Sequence, residues 1–126
     1  MLRGAGEAIS QAVRTVEELG VELGVLRDSR DTIVEYTHPS ASKEAALRYL
    51  LERLQVSPAS VKVFGDGYND AAMMRIAGRS IAMSNSPAEV KAVANEVTLS
   101  NDEEGVGYAL RKHFSARDHW FSLSGE

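Results

Sequence analysis

The stretch Gly65-Asp66-Gly67-Tyr68-Asn69-Asp70 decides the fold class of this chain. It follows an apolar run, Val61 to Phe64, that is typical of a buried strand, and it precedes a helix-like segment, Ala71 to Ala77. Two carboxylates and an amide therefore lie where a strand turns into a helix. Open α/β sheets bind ligands at the carboxyl ends of their strands, so we expect the chemistry of this chain at this turn.

The two aspartates of this turn are candidate metal ligands. Asp66 and Asp70 stand close together on a glycine-rich turn, and Mg²⁺ takes oxygen ligands of this kind. Aspartate also favours turns and helix N-caps, so a structural role stays open for both residues. Asn69 has two alternatives as well: it donates to a phosphate oxygen, or it caps the helix that begins here, whose positive end favours an anion.

Two further residues are candidates for binding phosphate. Lys43 lies at the predicted start of a helix, where the macrodipole disfavours a cation, so its ammonium is either solvated or directed at an anion. Asn85 follows a second predicted strand, where it either contacts phosphate or forms a turn ahead of Ser86. The histidines show no ligand spacing, and we interpret all three as surface residues: His38, His113 and His119.

Length, charge and composition exclude several classes of protein. A chain of 126 residues forms one modest domain or pieces of two. Its net charge of −4 argues against nucleic-acid binding by bulk electrostatics. The sequence contains no apolar run of about 20 residues, so we expect no membrane span. It has no cysteine, which excludes disulfides and thiolate chemistry and is compatible with the cytoplasmic location that we expect.

The residues before Pro39 predict an α-β-β unit. Its elements are a helix over Ala5–Leu19, a strand over Val21–Leu26 and a strand over Thr32–Thr37. The short connection between the two strands predicts an antiparallel hairpin. Pro39 forbids continued strand pairing and marks the expected boundary between two units, residues 1–38 and 39–126.

Helices and short strands alternate beyond that boundary. The first predicted element is a helix over Lys43–Gln55, with Ser40 or Ser42 as its N-cap and an apolar stripe of Leu47, Leu50, Leu51 and Leu54. The predicted strands that follow are Val61–Phe64, Ser80–Met83 and Val97–Leu99. The predicted helices between and after them are Ala71–Ala77, a helix that begins with a capping box at Ser86–Glu89, and a last helix from Asn101 towards Phe114. This alternation predicts an α/β fold with a parallel sheet. Three parallel strands with an open edge make a poor independent unit.

The order of these motifs resembles a known family. The segments that carry the resemblance are Ser42-Lys43-Glu44-Ala45-Ala46-Leu47, Val63 to Asp70, Ile81-Ala82-Met83-Ser84-Asn85-Ser86 and Val97-Thr98-Leu99-Ser100-Asn101. Together they resemble the C-terminal half of the haloacid-dehalogenase-like (HAD) hydrolases, in particular the Cof-type sugar-phosphate phosphatases, over roughly Thr32 to Phe114. The resemblance implies a partial Rossmann-like parallel sheet with flanking helices, preceded by an α-β-β remnant of an α/β cap.

The resemblance also implies a role for each residue that matches the family motifs. Lys43 matches the lysine that neutralises the substrate phosphate, and Asn69 matches the amide that contacts the phosphoryl group. Asp66 matches the acid that binds Mg²⁺ directly, and Asp70 matches the acid that holds the metal or its waters. Glu44 departs from the family, which has a glycine at this position.

The family nucleophile has no counterpart in this sequence. It is the first aspartate of an Asp-x-Asp motif upstream of the cap, and the only similar segment here, Asp28-Ser29-Arg30-Asp31, has the wrong spacing. We therefore expect half of a Mg²⁺-dependent phosphatase for a small phosphate ester such as a sugar phosphate or phosphoglycolate, truncated and inactive alone. The open sheet edge is expected to pair with a second copy or with a complementing chain. The alternatives are a non-catalytic interaction or regulatory module and a nucleotide-binding response-type domain.

Overall fold

Two separate three-stranded sheets organise the chain. The computed structural model describes residues 2–3, 6–27 and 33–114. The predicted turn at Asp28–Asp31, the residue His119 and the tail from residue 115 onward lie outside the described residues. None of the helices in the described part combines the length and apolar character that a membrane crossing requires.

The first sheet is built around one central strand. The first unit, which contains this sheet, consists of β1 (Leu2–Arg3), α1 (Gly6–Glu18), β2 (Gly24–Arg27) and β3 (Ile33–Thr37). The predicted antiparallel hairpin of β2 and β3 is confirmed, with Val25 opposite Tyr36. Strand β1 was not predicted; it pairs antiparallel with the other side of β3. Two residues are too few to leave a period-2 pattern, so the sequence could not indicate β1.

Side chains that pack on α1 alternate along β3 with side chains that point to the other face of the sheet. Val34 is fully buried and packs with Ile9 and Val13 of α1, and Tyr36 adds to the same cluster. Because successive side chains of a strand point to opposite faces, Glu35 and Thr37 lie on the face away from α1. Both line a cavity between the two sheets.

The second sheet is parallel, as predicted. Its strands are ordered β4-β5-β6. The elements are α2 (Lys43–Leu54), β4 (Lys62–Gly65), α3 (Ala71–Ile76), β5 (Arg79–Ala82), α4 (Ala88–Val93), β6 (Glu96–Val97) and α5 (Gly105–His113), with 3₁₀ turns at Pro58–Ser60, Tyr68–Asp70 and Asn101–Glu103. Within the described residues, no strand pairs with the outer edge of β4.

The core of the second unit lies between its sheet and helices α3 and α4. Val63, Met74, Ala82 and Val90 form its buried cluster. Helix α2 packs on α3 and buries Leu51. The rest of the predicted leucine stripe on α2 is only partly covered, since Leu50 is 51% and Leu54 is 61% exposed. Half of that stripe therefore faces away from the described core.

Two predicted helix starts are wrong. Ser86 forms no capping box: its hydroxyl donates to the Gly65 carbonyl at 3.4 Å, and α4 begins at Ala88 without a side-chain cap. The last helix begins at Gly105 instead of Asn101. The acidic residues before it form a separate 3₁₀ turn, in which the Glu103 carboxylate accepts from the Ser100 hydroxyl at 2.6 Å.

A cluster of ion pairs centred on Glu96 of β6 fastens α5 to the sheet. The Glu96 carboxylate accepts from Arg79 Nη2 at 2.9 Å and from Lys112 Nζ at 2.7 Å, and it lies 2.8 Å from His113 Nε2. The side chain of His113 is only 15% exposed, so its assignment to the surface was wrong. Hydrogen bonds from Lys112 and Arg79, joined by His113, outweigh burial and lower the pKa of Glu96 to about 2.

The Glu96 cluster predicts a pH-dependent contribution to stability. Glu96→Gln should lower the free energy of unfolding by only about 1 kcal/mol at pH 7, because two of the partners of Glu96, Arg79 and Lys112, are about half exposed to solvent. The pKa of Glu96 in the folded protein lies below the ordinary glutamate value of 4.5, so this contribution is fully present above pH 4.5 and is lost as pH falls towards 2. Urea unfolding of wild type and variant at pH 7 and near pH 2.5 measures it.

Glu44→Gln is the matched control for that measurement. Glu44 pairs with Arg48 one helical turn away at 2.8 Å on the surface of α2, so its loss should cost less. An equal loss in both variants, or a Glu96 effect that does not shrink at low pH, would contradict the assignment of the stabilising role to the Glu96 cluster.

Candidate active site

The turn that follows β4 is closed by the carboxylate of Asp70. The chain leaves the strand at Gly65 and enters the 3₁₀ turn Tyr68–Asp70 ahead of α3. Asp70 is 2% exposed, and its Oδ2 accepts from the backbone N–H of Asp66 at 2.9 Å and of Gly67 at 3.0 Å. The side chain at the end of the turn thus satisfies the backbone donors at its start.

Gly65 is required by the close approach of Asp70. A Cβ at Gly65 would lie 2.5 Å from the Asp70 Cβ and 2.9 Å from its Cγ. The Gly65 carbonyl accepts from Met83 N at 3.0 Å, which ties the turn to the end of β5. The glycine is therefore needed for space at this position.

Lys43 supplies the cation that Asp70 needs. Its Nζ lies 2.5 Å from Asp70 Oδ1, while Ser42 caps α2 by accepting from Ala45 N at 3.0 Å. This contact resolves the open question about Lys43, because the ammonium is paired with a carboxylate rather than only solvated. The Lys43 side chain is still 51% exposed, so its ammonium also faces solvent.

Competing influences act on the ionisation of Asp70. Burial alone would raise the pKa of its carboxyl. The hydrogen bond from Lys43, the backbone hydrogen bonds from Gly67 and Asp66 and the charge of Lys43 together prevail and hold that pKa below its ordinary value. Asp70 is therefore ionised at neutral pH, with both oxygens engaged.

The other carboxylate of the turn is exposed at the end of the strand. Asp66 forms no side-chain hydrogen bond with a described residue, so its oxygens are available to a cation. The described residues contain no group of three or more acidic or histidine side chains placed to hold a metal. Mg²⁺ commonly takes one or two protein carboxylates with phosphate oxygens and water, and this donor set fits that pattern with Asp66 as the available ligand.

Asn69 and Asn85 lie in different surroundings. Asn69 is exposed and lines the cavity between the sheets together with Lys43. Asn85 does not line it: its Oδ1 accepts from Asn101 N at 3.0 Å and joins two surface turns. This contact gives Asn85 the turn-forming role that was one of its alternatives, and contact with phosphate stays a prediction.

The cavity has a volume of about 500 Å³ and lies between the β2–β3 hairpin and the turn after β4. Lys43, Tyr68 and Asn69 line one side, and Glu35 and Thr37 of β3 line the other. The sequence interpretation missed both β3 residues. The sequence feature that could have indicated them is the alternation of Glu35 and Thr37 with Val34 and Tyr36, which places Glu35 and Thr37 on the same face of the strand.

Comparison with known proteins identifies the family. The model of the haloacid dehalogenase-like hydrolases matches residues 3–110. This chain belongs to that family. A crystal structure of a haloacid dehalogenase-like hydrolase from Bacteroides thetaiotaomicron has a TM-score of 0.71 at 33% identity, over 84% of this chain and 41% of that chain. The family and the α/β fold expected from the sequence are thereby confirmed.

Two of the matching relatives are considerably longer than the region that they share with this chain. A relative from Haemophilus influenzae is 35% identical over 111 residues, 88% of this chain and 42% of its own length. The phosphoglycolate phosphatase of Archaeoglobus fulgidus is 39% identical over 106 residues, 82% of this chain and 44% of its own length. The HAD hydrolase chain described here thus spans less than half of these relatives.

The two aspartates of the turn should differ sharply in their effect on stability. In Asp70→Asn, one amide oxygen can still accept from the backbone, but the amide NH₂ then faces the Lys43 ammonium, which can only donate. We expect a loss of about 2 kcal/mol in the free energy of unfolding. Asp66→Asn should change it by less than about 0.5 kcal/mol, since that side chain is exposed. Denaturant unfolding at pH 7 measures both, and equal effects would contradict the structural role of Asp70.

Proposed function

We propose that this chain carries the metal- and phosphate-binding half of a Mg²⁺-dependent phosphatase. The observation that carries the proposal is the Lys43–Asp70 ion pair beside the exposed carboxylate of Asp66, at the carboxyl end of β4. Membership of a hydrolase family with a named phosphatase among its relatives supports it.

Each residue of the proposed site has its own role in binding. The exposed side of the Lys43 ammonium meets the phosphate, and the Asn69 amide donates to a phosphoryl oxygen. The Asp66 carboxylate binds Mg²⁺, while Asp70 keeps Lys43 and the turn in place. Bound Mg²⁺ would neutralise charge that develops on the phosphoryl oxygens. In this proposal Asn85 approaches the phosphate only at the rim of the site.

The proposed reaction needs a nucleophile on a strand beside β4. An aspartate oxygen there would bond to phosphorus as the bond from phosphorus to the ester oxygen breaks. The second aspartate of the Asp-x-Asp pair would protonate the leaving oxygen, and water would then hydrolyse the acyl phosphate. One observation supports a strand at this position: the outer edge of β4 has no partner among the described residues. We propose that a segment bearing Asp-x-Asp, from outside residues 1–126 or from another chain, pairs there.

The proposed substrate is a small phosphate ester, such as a sugar phosphate or phosphoglycolate. The cavity of about 500 Å³ next to Lys43 and Asn69 suits a small metabolite. A cytoplasmic location remains part of this proposal and rests on the cysteine-free composition alone.

Hydrolysis of p-nitrophenyl phosphate tests the proposed activity. We expect the 126-residue chain alone to be inactive, and we expect Mg²⁺-dependent hydrolysis once a polypeptide carrying the Asp-x-Asp strand is added. Asp66→Ala should abolish that hydrolysis, and EDTA should do the same. Glu44→Gln, a change at a partly exposed position of α2 that pairs with Arg48, should leave it unaltered. Absence of hydrolysis in the presence of the added strand would favour a non-catalytic module.

The uncovered edge of β4 also predicts self-association or complex formation. Because unpaired strand edges recruit further strands, size-exclusion chromatography with light scattering should show the isolated chain as a homo-oligomer. Addition of the Asp-x-Asp polypeptide should convert it to a defined complex. A stable monomer with a sharp melting transition, unaltered by the added polypeptide, would contradict this part of the proposal.

A further inference from the structure

The pair Asp66–Gly67 is a chemically weak point of the turn after β4. The backbone nitrogen that follows an aspartate can attack the side-chain carboxyl carbon of that aspartate and close a succinimide ring. A glycine in the second position favours this attack, because it has no Cβ to obstruct the approach. Gly67 is the only glycine of the sequence that follows an aspartate or an asparagine. We therefore expect ring closure at this pair before any other.

Ring closure and ring opening need no co-reactant other than water. The Gly67 nitrogen bonds to Cγ of Asp66, the bond from Cγ to its hydroxyl oxygen breaks, and the hydroxyl leaves as water with the proton of the nitrogen. Water then adds to one of the two ring carbonyls. Opening at the backbone carbonyl produces isoaspartate, in which the main chain runs through Cγ and is one carbon longer. Opening at the side-chain carbonyl restores aspartate.

The carboxyl group of Asp66 is not held away from this reaction by any described residue. The side chain is exposed, and within the described part of the chain it forms neither a hydrogen bond nor an ion pair. A restraint on the reaction must therefore act on the other reacting atom, the nitrogen of Gly67.

Asp70 provides a restraint on that nitrogen. Its Oδ2 accepts from Gly67 N at 3.0 Å and from Asp66 N at 2.9 Å. Because the two donors share one oxygen, rotation about the Cα–C bond of Asp66, which brings the nitrogen towards Cγ, would pull them apart. The negative charge beside the Gly67 N–H also opposes the removal of its proton, which must leave as the new bond forms.

The carboxylate that restrains Gly67 is itself fixed. Asp70 is 2% exposed, and its other oxygen, Oδ1, is paired with Lys43 Nζ at 2.5 Å. The missing Cβ of Gly65 leaves the space that this carboxylate occupies. Asp70 therefore cannot swing away from the Gly67 N–H without the loss of its ion pair.

We propose that Asp66–Gly67 is a site of spontaneous isoaspartate formation, and that the hydrogen bond from Gly67 to Asp70 keeps this reaction slow in the folded chain. Isoaspartate at position 66 lengthens the main chain of the turn, so it displaces the carboxylate from the end of β4 and draws Gly67 away from Asp70. The inference goes beyond the proposed phosphatase activity and does not depend on it, because it concerns only the bonds and contacts of the turn itself.

Ageing of the full 126-residue chain at physiological temperature and pH tests this inference. Peptide mapping with electron-transfer dissociation distinguishes isoaspartate from aspartate at position 66. Asp70→Ala removes the acceptor of the Gly67 N–H and should raise the rate of isoaspartate formation about tenfold, the factor that loss of one hydrogen bond to a charged group supplies. Asp70→Asn keeps an acceptor oxygen without the charge, so its rate should lie between those of wild type and Asp70→Ala.

Two control variants separate this contact from a general loss of stability. Leu51→Ala removes a buried side chain near the end of α2, so it destabilises the fold without a change at Gly67, and its rate should equal that of wild type. Gly67→Ala adds the obstructing Cβ and should suppress the reaction. That Cβ would lie 3.0 Å from Oδ1 of Asn69, the end of a flexible side chain, so the turn can accommodate it. Urea unfolding establishes the folded fraction of each variant.

The rates decide the inference in each case. Equal rates in folded wild type and in Asp70→Ala would overturn it. It also falls if Leu51→Ala reacts as fast as Asp70→Ala, since general opening of the fold would then explain the rate. If Asp70→Ala does not fold, Asp70→Asn and wild type unfolded in urea replace it, and both should react faster than folded wild type. Absence of isoaspartate at position 66 in every sample, the unfolded chain included, would show that this pair is not a modification site.

Discussion

The contact between Lys43 and Asp70 is the constraint on which the second unit depends. Asp70 is almost fully buried, and a buried carboxylate is tolerated only when it is paired and hydrogen-bonded. Its donors come from the start of α2 and from the first residues of the turn, while its own backbone leads into α3. One carboxylate therefore fixes two helices and a strand end relative to one another. The same contact orients Lys43, so the interaction that holds the turn also positions the Lys43 side chain, which is 51% exposed.

The parallel sheet imposes a second constraint. Parallel strands are normally covered on both faces and paired on both edges, because their polar backbone groups and apolar side chains must both be satisfied. Only the middle strand β5 meets this condition, because β4 and the two-residue β6 each have an outer edge that is unpaired within the described residues. The exposed leucines of α2 add apolar surface to the same unit. Completion of the sheet and completion of the catalytic centre are therefore one requirement in the proposed function.

Much of the fold could be predicted from the sequence, since the periodicities of α1, α2 and the strands are strong and local. The helix starts at Ala88 and Gly105 could not: the Ser86 hydroxyl donates to the Gly65 carbonyl instead of capping α4, and the hydrogen bond between Ser100 and Glu103 belongs to a separate 3₁₀ turn ahead of α5. Strand β1 exists only through its pairing with β3, which no local pattern indicates. Such elements depend on partners distant in sequence or on local competition between hydrogen bonds.

The residues of the candidate site could likewise be predicted only in part from the sequence. Asp66, Asp70 and Asn69 belong to one contiguous motif, so the sequence identified them directly, but it did not distinguish the buried aspartate from the exposed one. That difference arises from the donors around Asp70. Glu35 and Thr37 escaped notice because neither belongs to a motif, and only the position of the hairpin over the turn gives them a part in the site.

The two faces of β3 have a consequence for how this protein can change. Val34 and Tyr36 hold the strand to α1, while Glu35 and Thr37 face the cavity and contribute nothing to that cluster. Residues that pack the strand against α1 thus alternate along β3 with residues that line the cavity. Exchange of the cavity-facing residues would leave the packed face intact, so the lining of the cavity can change between descendants of this chain while the packing of β3 on α1 is retained.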